Sequence, residues 1–142
     1  MNRNYRRTLM LGIVALAACT QNPVGRPCFI GSDAGTTNQT VIASPALECQ
    51  SRTCLHIPTA DKNAADLCTA SCSDSSDCDG VADTPCKTGF TCTIPPASTD
   101  GPFCCKKLCV CRDYLDLPDG GSPVMPAACD PSDPNNECRN IR

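Results

Sequence analysis

The segment that decides the fold of this chain is Cys68 to Cys111, CTASCSDSSDCDGVADTPCKTGFTCTIPPASTDGPFCCKKLCVC, because it places nine cysteines in 44 residues. The whole chain has 15 cysteines in 142 residues. Cysteine at this density in a short chain is typical of a scaffold held together by disulfides, which are rare in the reducing cytosol. The sequence therefore predicts an exported protein and excludes an ordinary cytosolic enzyme.

The rest of the composition offers little material for a hydrophobic core. After the first 18 residues, Leu, Ile, Val and Phe account for 19 of 124 residues, and the net charge is −6, against −3 for the whole chain. Such a chain would be disordered without cross-links, each of which stabilises by about 2–4 kcal/mol. We predict a small disulfide-rich fold, mostly irregular, with short β-hairpins and at most one or two short helices. The acidic balance argues against nucleic-acid binding.

The first 18 residues have the three parts of a secretory signal peptide. Three arginines precede an apolar run of ten residues, LMLGIVALAA, which is shorter than the roughly 20 residues that a membrane-spanning helix needs. The run leads into Leu16-Ala17-Ala18-Cys19, which resembles the lipobox of bacterial lipoproteins at all four positions. The resemblance implies cleavage before Cys19, lipid on its sulfur and acylation of the new N-terminus. It also implies the outer membrane, because Thr20 replaces the Asp that retains such proteins in the inner membrane.

The cysteines and turn-forming residues divide the chain into five parts: a signal peptide (1–18), a flexible tether (19–27), a first cysteine-rich module (28–58), a second (59–117), and a linker with a C-terminal disulfide loop (118–142). A β-branched run bounded by turn residues predicts one hairpin, and a turn followed by a short strand predicts a second. One joins Thr40–Ala43 to Ser51–Ile57, and the other joins Lys87–Cys92 to Phe103–Val110. Thr59–Leu67 is predicted as a short helix.

Setting Cys19 aside for lipid leaves an even number of cysteines, which allows seven disulfides. They are Cys28, Cys49, Cys54, Cys68, Cys72, Cys78, Cys86, Cys92, Cys104, Cys105, Cys109, Cys111, Cys129 and Cys138. Spacing does not reveal their connectivity. We expect one local bridge, Cys129–Cys138, and the odd cysteine counts of the two modules then require a bridge between them. The alternative is a plain secretory signal with Cys19 as a further disulfide partner.

Catalytic chemistry has little support in the sequence. His56 is the only histidine, and a lone histidine in a disulfide-rich module is usually a surface residue. We predict no catalytic residues, no cofactor and no bound metal. Two alternatives give the thiols a chemical role. The first is a redox pair, at Cys109–Cys111 or at Cys104–Cys105. The second is a zinc site built on the CxxxC spacings that begin at Cys68 and Cys105. An oxidising compartment and the lack of a βαβ pattern disfavour both.

Calcium is the metal that the acidic residues suit best. Asp77, Asp79 and Asp83, with Gly80 between them, follow the first part of an EF-type loop. The position that needs a bidentate Glu is Cys86, and no helices are predicted beside the loop. A second acidic set comprises Asp130, Asp133, Asn135 and Glu137. Turn-forming and solvated acids are the alternative explanation for both sets, since Asp and Asn favour turns.

Two further resemblances concern the cysteine pattern. The order C…C…CC…C…C from Cys86 to Cys111 resembles a knottin and implies an inhibitor-like module. Most of the mature chain is similar to the cysteine-rich lipoproteins of gliding and predatory soil bacteria. This similarity lies in the Gly-Arg-Pro-Cys28 opening and in the segments SPALECQSRTCL, CSDSSDC and CKTGFTC. Some members of that group take part in adventurous gliding motility, so the resemblance implies a role in the cell envelope.

These observations together predict a non-enzymatic lipoprotein of the outer membrane that has a structural, assembly or partner-binding role. Its partners would be the membrane, through the lipid on Cys19, and an envelope protein. The basic residues Lys106, Lys107 and Arg112 are predicted as its contact surface on an otherwise acidic chain. The alternatives are a knottin-like binding or inhibitor module and a thiol–disulfide or metal-handling protein.

Overall fold

The computed structural model describes residues 24–31, 38–60, 64–96, 98, 101–115, 117, 121–134, 136 and 138. Within these residues there are five short strands: β1 (Val41–Ala43), β2 (Cys54–His56), β3 (Leu67–Cys68), β4 (Phe90–Thr93) and β5 (Leu108–Cys111). The helical elements described are three-residue 3-10 turns, at Ser75–Asp77, Gly101–Phe103, Arg112–Tyr114 and Ala127–Cys129. The predicted fold class is confirmed.

The first sheet has the order β1-β2-β3, with both pairs antiparallel. Val41 lies opposite His56, so the predicted first hairpin is confirmed. The predicted helix at Thr59–Leu67 is wrong where the chain is described. Residues 64–66 are irregular, and Leu67 begins β3 by pairing with Leu55. Both leucines are buried, so burial on the sheet outweighs the local helix propensity of the alanines before them.

The second sheet is the predicted second hairpin, in which Phe90 of β4 lies opposite Cys111 of β5. All four residues of β5 are buried, although its flanking residues are charged. The chain after β3 runs beside β5, where Cys109 N–H donates to the Ala70 carbonyl at 2.9 Å and Ser71 lies opposite Leu108. This segment joins the two sheets into one body.

Seven disulfides bind all the described cysteines. They are Cys28–Cys54, Cys49–Cys68, Cys72–Cys92, Cys78–Cys109, Cys86–Cys111, Cys104–Cys138 and Cys105–Cys129. Their Cα–Cα distances lie between 5.4 and 6.1 Å, the usual range for a disulfide. Cys49–Cys68 is the expected bridge between the first and second modules.

The expected local bridge Cys129–Cys138 is wrong. Cys129 binds Cys105, and Cys138 binds Cys104, so the C-terminal segment is fastened to the second module at two adjacent positions. Cys105 has φ 52°, a left-handed conformation. Its backbone therefore departs from an extended path, in which successive side chains would alternate in direction.

The predicted tether is also wrong for its last four residues. Val24 is 1% exposed and packs against Ala70, Cys78 and Cys109. Cys68 N–H donates to the Arg26 carbonyl at 2.8 Å, and residues 24–28 lie antiparallel beside β3 as a further edge of the first sheet. The tether prediction for residues 19–23 falls outside the described residues.

The core is divided into small clusters in which disulfide sulfurs take the place of large side chains. Cys49, Cys54 and Cys68 pack with Ala46 in one cluster. Leu55, Ile57 and Val110 form another, where the two sheets meet. The sulfurs supply packing as well as cross-links, which fits the low aliphatic content of the sequence.

Candidate functional site

The predicted lipid-bearing residue, Cys19, and the signal peptide lie outside the described residues. The structure begins at Val24, five positions after Cys19, and Val24 is already buried. Over the described part of the chain, no helix has the length and apolar character needed to cross a membrane.

The three predicted basic contact residues are exposed but do not form one cluster. Lys106 and Lys107 precede β5, whereas Arg112 follows it, so a four-residue strand separates them by about 16 Å. The Lys106 ammonium lies 5.7 Å from the centre of the Phe103 ring, a cation–π distance. The two lysines thus mark one end of the hairpin, and Arg112 marks the other.

The structure does not form an EF-type loop at the predicted calcium residues. The Asp77 carboxylate accepts hydrogen bonds from the Ser73 and Asp74 amides at 2.8 and 3.2 Å, closing a capping box on the 3-10 turn. Bonds from the Ser76 hydroxyl and amide lower the pKa of Asp74, and Lys107 adds a smaller effect. Asp79 and Asp83 are exposed. Asp77 therefore acts as a turn-forming residue, and Asp79 and Asp83 lie in solvent.

The second acidic set is described only in part, because Asn135 and Glu137 lie outside the described residues. Asp130 accepts hydrogen bonds from the Ser132 amide and hydroxyl at 2.8 and 2.6 Å, which lower its pKa. Asp133 lies in the same turn and donates its amide to the Asp130 carbonyl at 3.0 Å. This geometry is an Asx-turn, in which the carboxylate of Asp130 already has two donors.

The cysteines predicted for redox or zinc chemistry are all bound in disulfides to other partners. Cys109 and Cys111 bind Cys78 and Cys86, and the vicinal Cys104 and Cys105 bind the C-terminal segment. The described groups with metal-ligand spacing consist of cysteines, with Asp113 joining one of them. Since zinc requires thiolates, these oxidised sulfurs do not offer a zinc site.

His56 is buried rather than on the surface, which corrects the expectation for a lone histidine. Its Nδ1 lies 2.7 Å from a carboxylate oxygen of Asp66, at the position that continues the β2–β3 register. Its Nε2 is buried and has no hydrogen-bond partner among the described residues. A catalytic His–Asp pair needs a nucleophile within about 3.2 Å of that nitrogen. This pair therefore joins two strands and has no nucleophile in the described structure.

The described residues form an apolar groove of about 480 Å³. Four segments meet there: the end of β2, the end of β4, the turn after β5 and the C-terminal segment. Its lining residues are Ile57, Pro58, Thr93, Ile94, Pro96, Tyr114, Leu115, Leu117, Pro123, Val124 and Pro126. Val124 is 81% exposed, and the adjacent Met125 is 51% exposed. Sequence reasoning missed this groove, because its residues come from four segments that are separate in the sequence.

The six cysteines that resemble a knottin do not form a self-contained unit. Only Cys86–Cys111 joins two of them, and the other four bind cysteines outside the set. The order of these cysteines thus resembles that of a knottin, but their disulfide pairing does not form a separate module. Comparisons with protein-family models, with curated proteins and with solved structures found no match to this chain.

Proposed function

We propose that this protein is a non-enzymatic lipoprotein, anchored to the outer membrane through Cys19, that binds a protein partner in the cell envelope. The resemblance of its cysteine segments to those of lipoproteins from gliding bacteria supports a partner in envelope assembly or gliding motility. The proposal rests mainly on the short segment that connects the lipobox to the folded body. Only residues 20–23 separate Cys19 from the buried Val24.

Two features of the body support binding rather than catalysis. The described cysteines are all oxidised, and the one histidine has no nucleophile beside it in the described structure. The apolar groove lies on a scaffold with seven cross-links. A rigid apolar groove favours association, because little ordering entropy is lost when a partner binds.

The anchor is tested by replacing Cys19 with Ser. We expect cells fed a palmitate analogue to label the wild type and the control variant Thr20→Ser, and to leave Cys19→Ser unlabelled with its signal peptide removed more slowly. The reason is that the Cys19 sulfur accepts the lipid, and acylation of the N-terminus requires prior cleavage. Labelled Cys19→Ser, or an unlabelled wild type, would contradict the lipoprotein assignment.

Partner binding is tested by cross-linking in intact cells. We expect Val124→Asp to reduce the yield of the cross-linked partner at least tenfold, because a buried unpaired carboxylate strongly disfavours an apolar interface. Lys106→Ser with Lys107→Ser should reduce yield less and mainly at low salt, since exposed charges act on association rate. Arg112→Ser is the control at the other end of β5. Equal yield from all variants would exclude both surfaces.

A further inference from the structure

Five exposed residues lie in two segments beside the first sheet, at positions 26–29 and 47–50. We call Arg26, Pro27, Phe29, Leu47 and Gln50 the N-terminal strip. The Phe29 amide donates to the Glu48 carboxylate at 3.0 Å, so residues 29 and 47 belong to adjacent positions on the surface. Arg26, Pro27 and Gln50 line one shared depression of about 400 Å³, together with Asp83.

The two apolar side chains of the strip are held outward by the fold. Phe29 is 72% exposed, and its neighbours Cys28 and Ile30 both pack inward on the cluster around Cys49. Leu47 is 76% exposed and follows the buried Ala46. Cys28 and Cys49, which flank these positions, are fixed by disulfides to β2 and β3. The outward orientation is therefore built into the cross-linked frame.

The strip also lies where the chain leaves the structure. The first described residue, Val24, is two positions before Arg26, and five residue steps from Val24 back to Cys19 span at most about 18 Å. A lipid on Cys19 would hold this edge of the body close to the bilayer. The tether is too short for the opposite faces to lie there without lifting Val24 away from the membrane.

The charges beside the strip are mixed. Arg26 and Arg52 are exposed, and Asp83 lines the same depression as Arg26. Basic side chains near a bilayer are attracted to lipid phosphates, and exposed acids are repelled by them. The exposed apolar side chains and the short tether, rather than the net charge, therefore define the orientation.

We infer that the N-terminal strip lies on the membrane surface, with Phe29 and Leu47 inserted into the lipid interface and Arg26 and Arg52 facing lipid phosphates. The inference rests on the proposed lipid anchor at Cys19. A lipid chain and an apolar protein contact act as two membrane signals, and two signals anchor a protein far more firmly than one.

The absence of Trp from the chain allows a direct test. Single-Trp proteins are made by Phe29→Trp and Leu47→Trp, with Val124→Trp as the control at an equally exposed apolar position far along the chain. The lipidated proteins are reconstituted into vesicles of phosphatidylethanolamine and phosphatidylglycerol that contain brominated acyl chains. We expect Trp at 29 and 47 to shift to the blue and lose at least half of its emission, and Trp at 124 to keep a water-like spectrum.

Equal quenching at the three positions, or none at 29 and 47, would overturn the inference.

A second measurement uses Phe29→Ser with Leu47→Ser in the non-lipidated chain from Thr20 to Arg142, which contains every described residue. Sedimentation with the same vesicles should fall about tenfold or more, and Val124→Ser with Met125→Ser should leave it unchanged. If sedimentation with the vesicles falls only in the control variant, the inference is also overturned. If Cys19 carries no lipid, reconstitution fails in all variants, which identifies a failure of the anchor itself.

Discussion

Reduction of the seven disulfides should unfold this protein completely, and a chelator alone should leave it folded. The apolar clusters are small, and cysteine sulfurs form a large part of them. Each disulfide contributes about 2–4 kcal/mol, so the loss of all seven, about 14–28 kcal/mol, equals or exceeds the 5–15 kcal/mol of net stability that a typical domain has. The measurement is protease resistance and hydrodynamic radius after reduction and alkylation, compared with treatment by EDTA.

A count of free thiols before reduction provides the matched control. The structure predicts none among the described cysteines, because all fourteen are paired. Thiols that react in the folded protein, or unfolding by EDTA alone, would restore the redox or metal-handling alternative. Retention of a compact, protease-resistant state after full reduction would show that the apolar clusters are sufficient without cross-links.

Local pattern predicted the two hairpins because their information is contained in short segments. Val41–Ala43 is β-branched and apolar with turn residues on both sides, and Gly89 supplies the φ of +83° that the chain adopts before β4. The β3 strand was missed for the opposite reason. Its two residues become a strand only through pairing with β2, a contact that the local sequence does not encode.

The disulfide pairing and the groove depend on contacts between distant segments. Cys105 reaches Cys129 and Cys104 reaches Cys138, at separations of 24 and 34 residues, whereas a loop of eight residues between Cys129 and Cys138 looked simpler. The groove likewise unites four segments that are separate in sequence. By contrast, the lipobox is a four-residue motif, so the anchor can be proposed without a fold.

Gly25→Ala should be the most damaging single methyl addition to the described structure. Gly25 has φ +87°, and a Cβ there would lie 2.5 Å from both Phe90 Cζ and Thr84 Oγ1. The left-handed conformation costs a non-glycine residue about 1–2 kcal/mol, and overpacking adds about 1–3 kcal/mol. We expect the free energy of unfolding to fall by about 2–5 kcal/mol, measured by guanidinium denaturation followed by circular dichroism with the disulfides intact.

Gly89→Ala separates the two causes, because Gly89 has nearly the same φ, +83°, and open space where its Cβ would lie. The free energy of unfolding of Gly89→Ala should fall only by the cost of the left-handed conformation, about 1–2 kcal/mol. In a background that carries both Phe90→Leu and Thr84→Ala, which removes the atoms that the new methyl would meet, the further cost of Gly25→Ala should approach that of Gly89→Ala. A cost for Gly25→Ala no larger than for Gly89→Ala would mean that residues 24–27 do not pack against β4, and the tether would then extend to the first disulfide at Cys28.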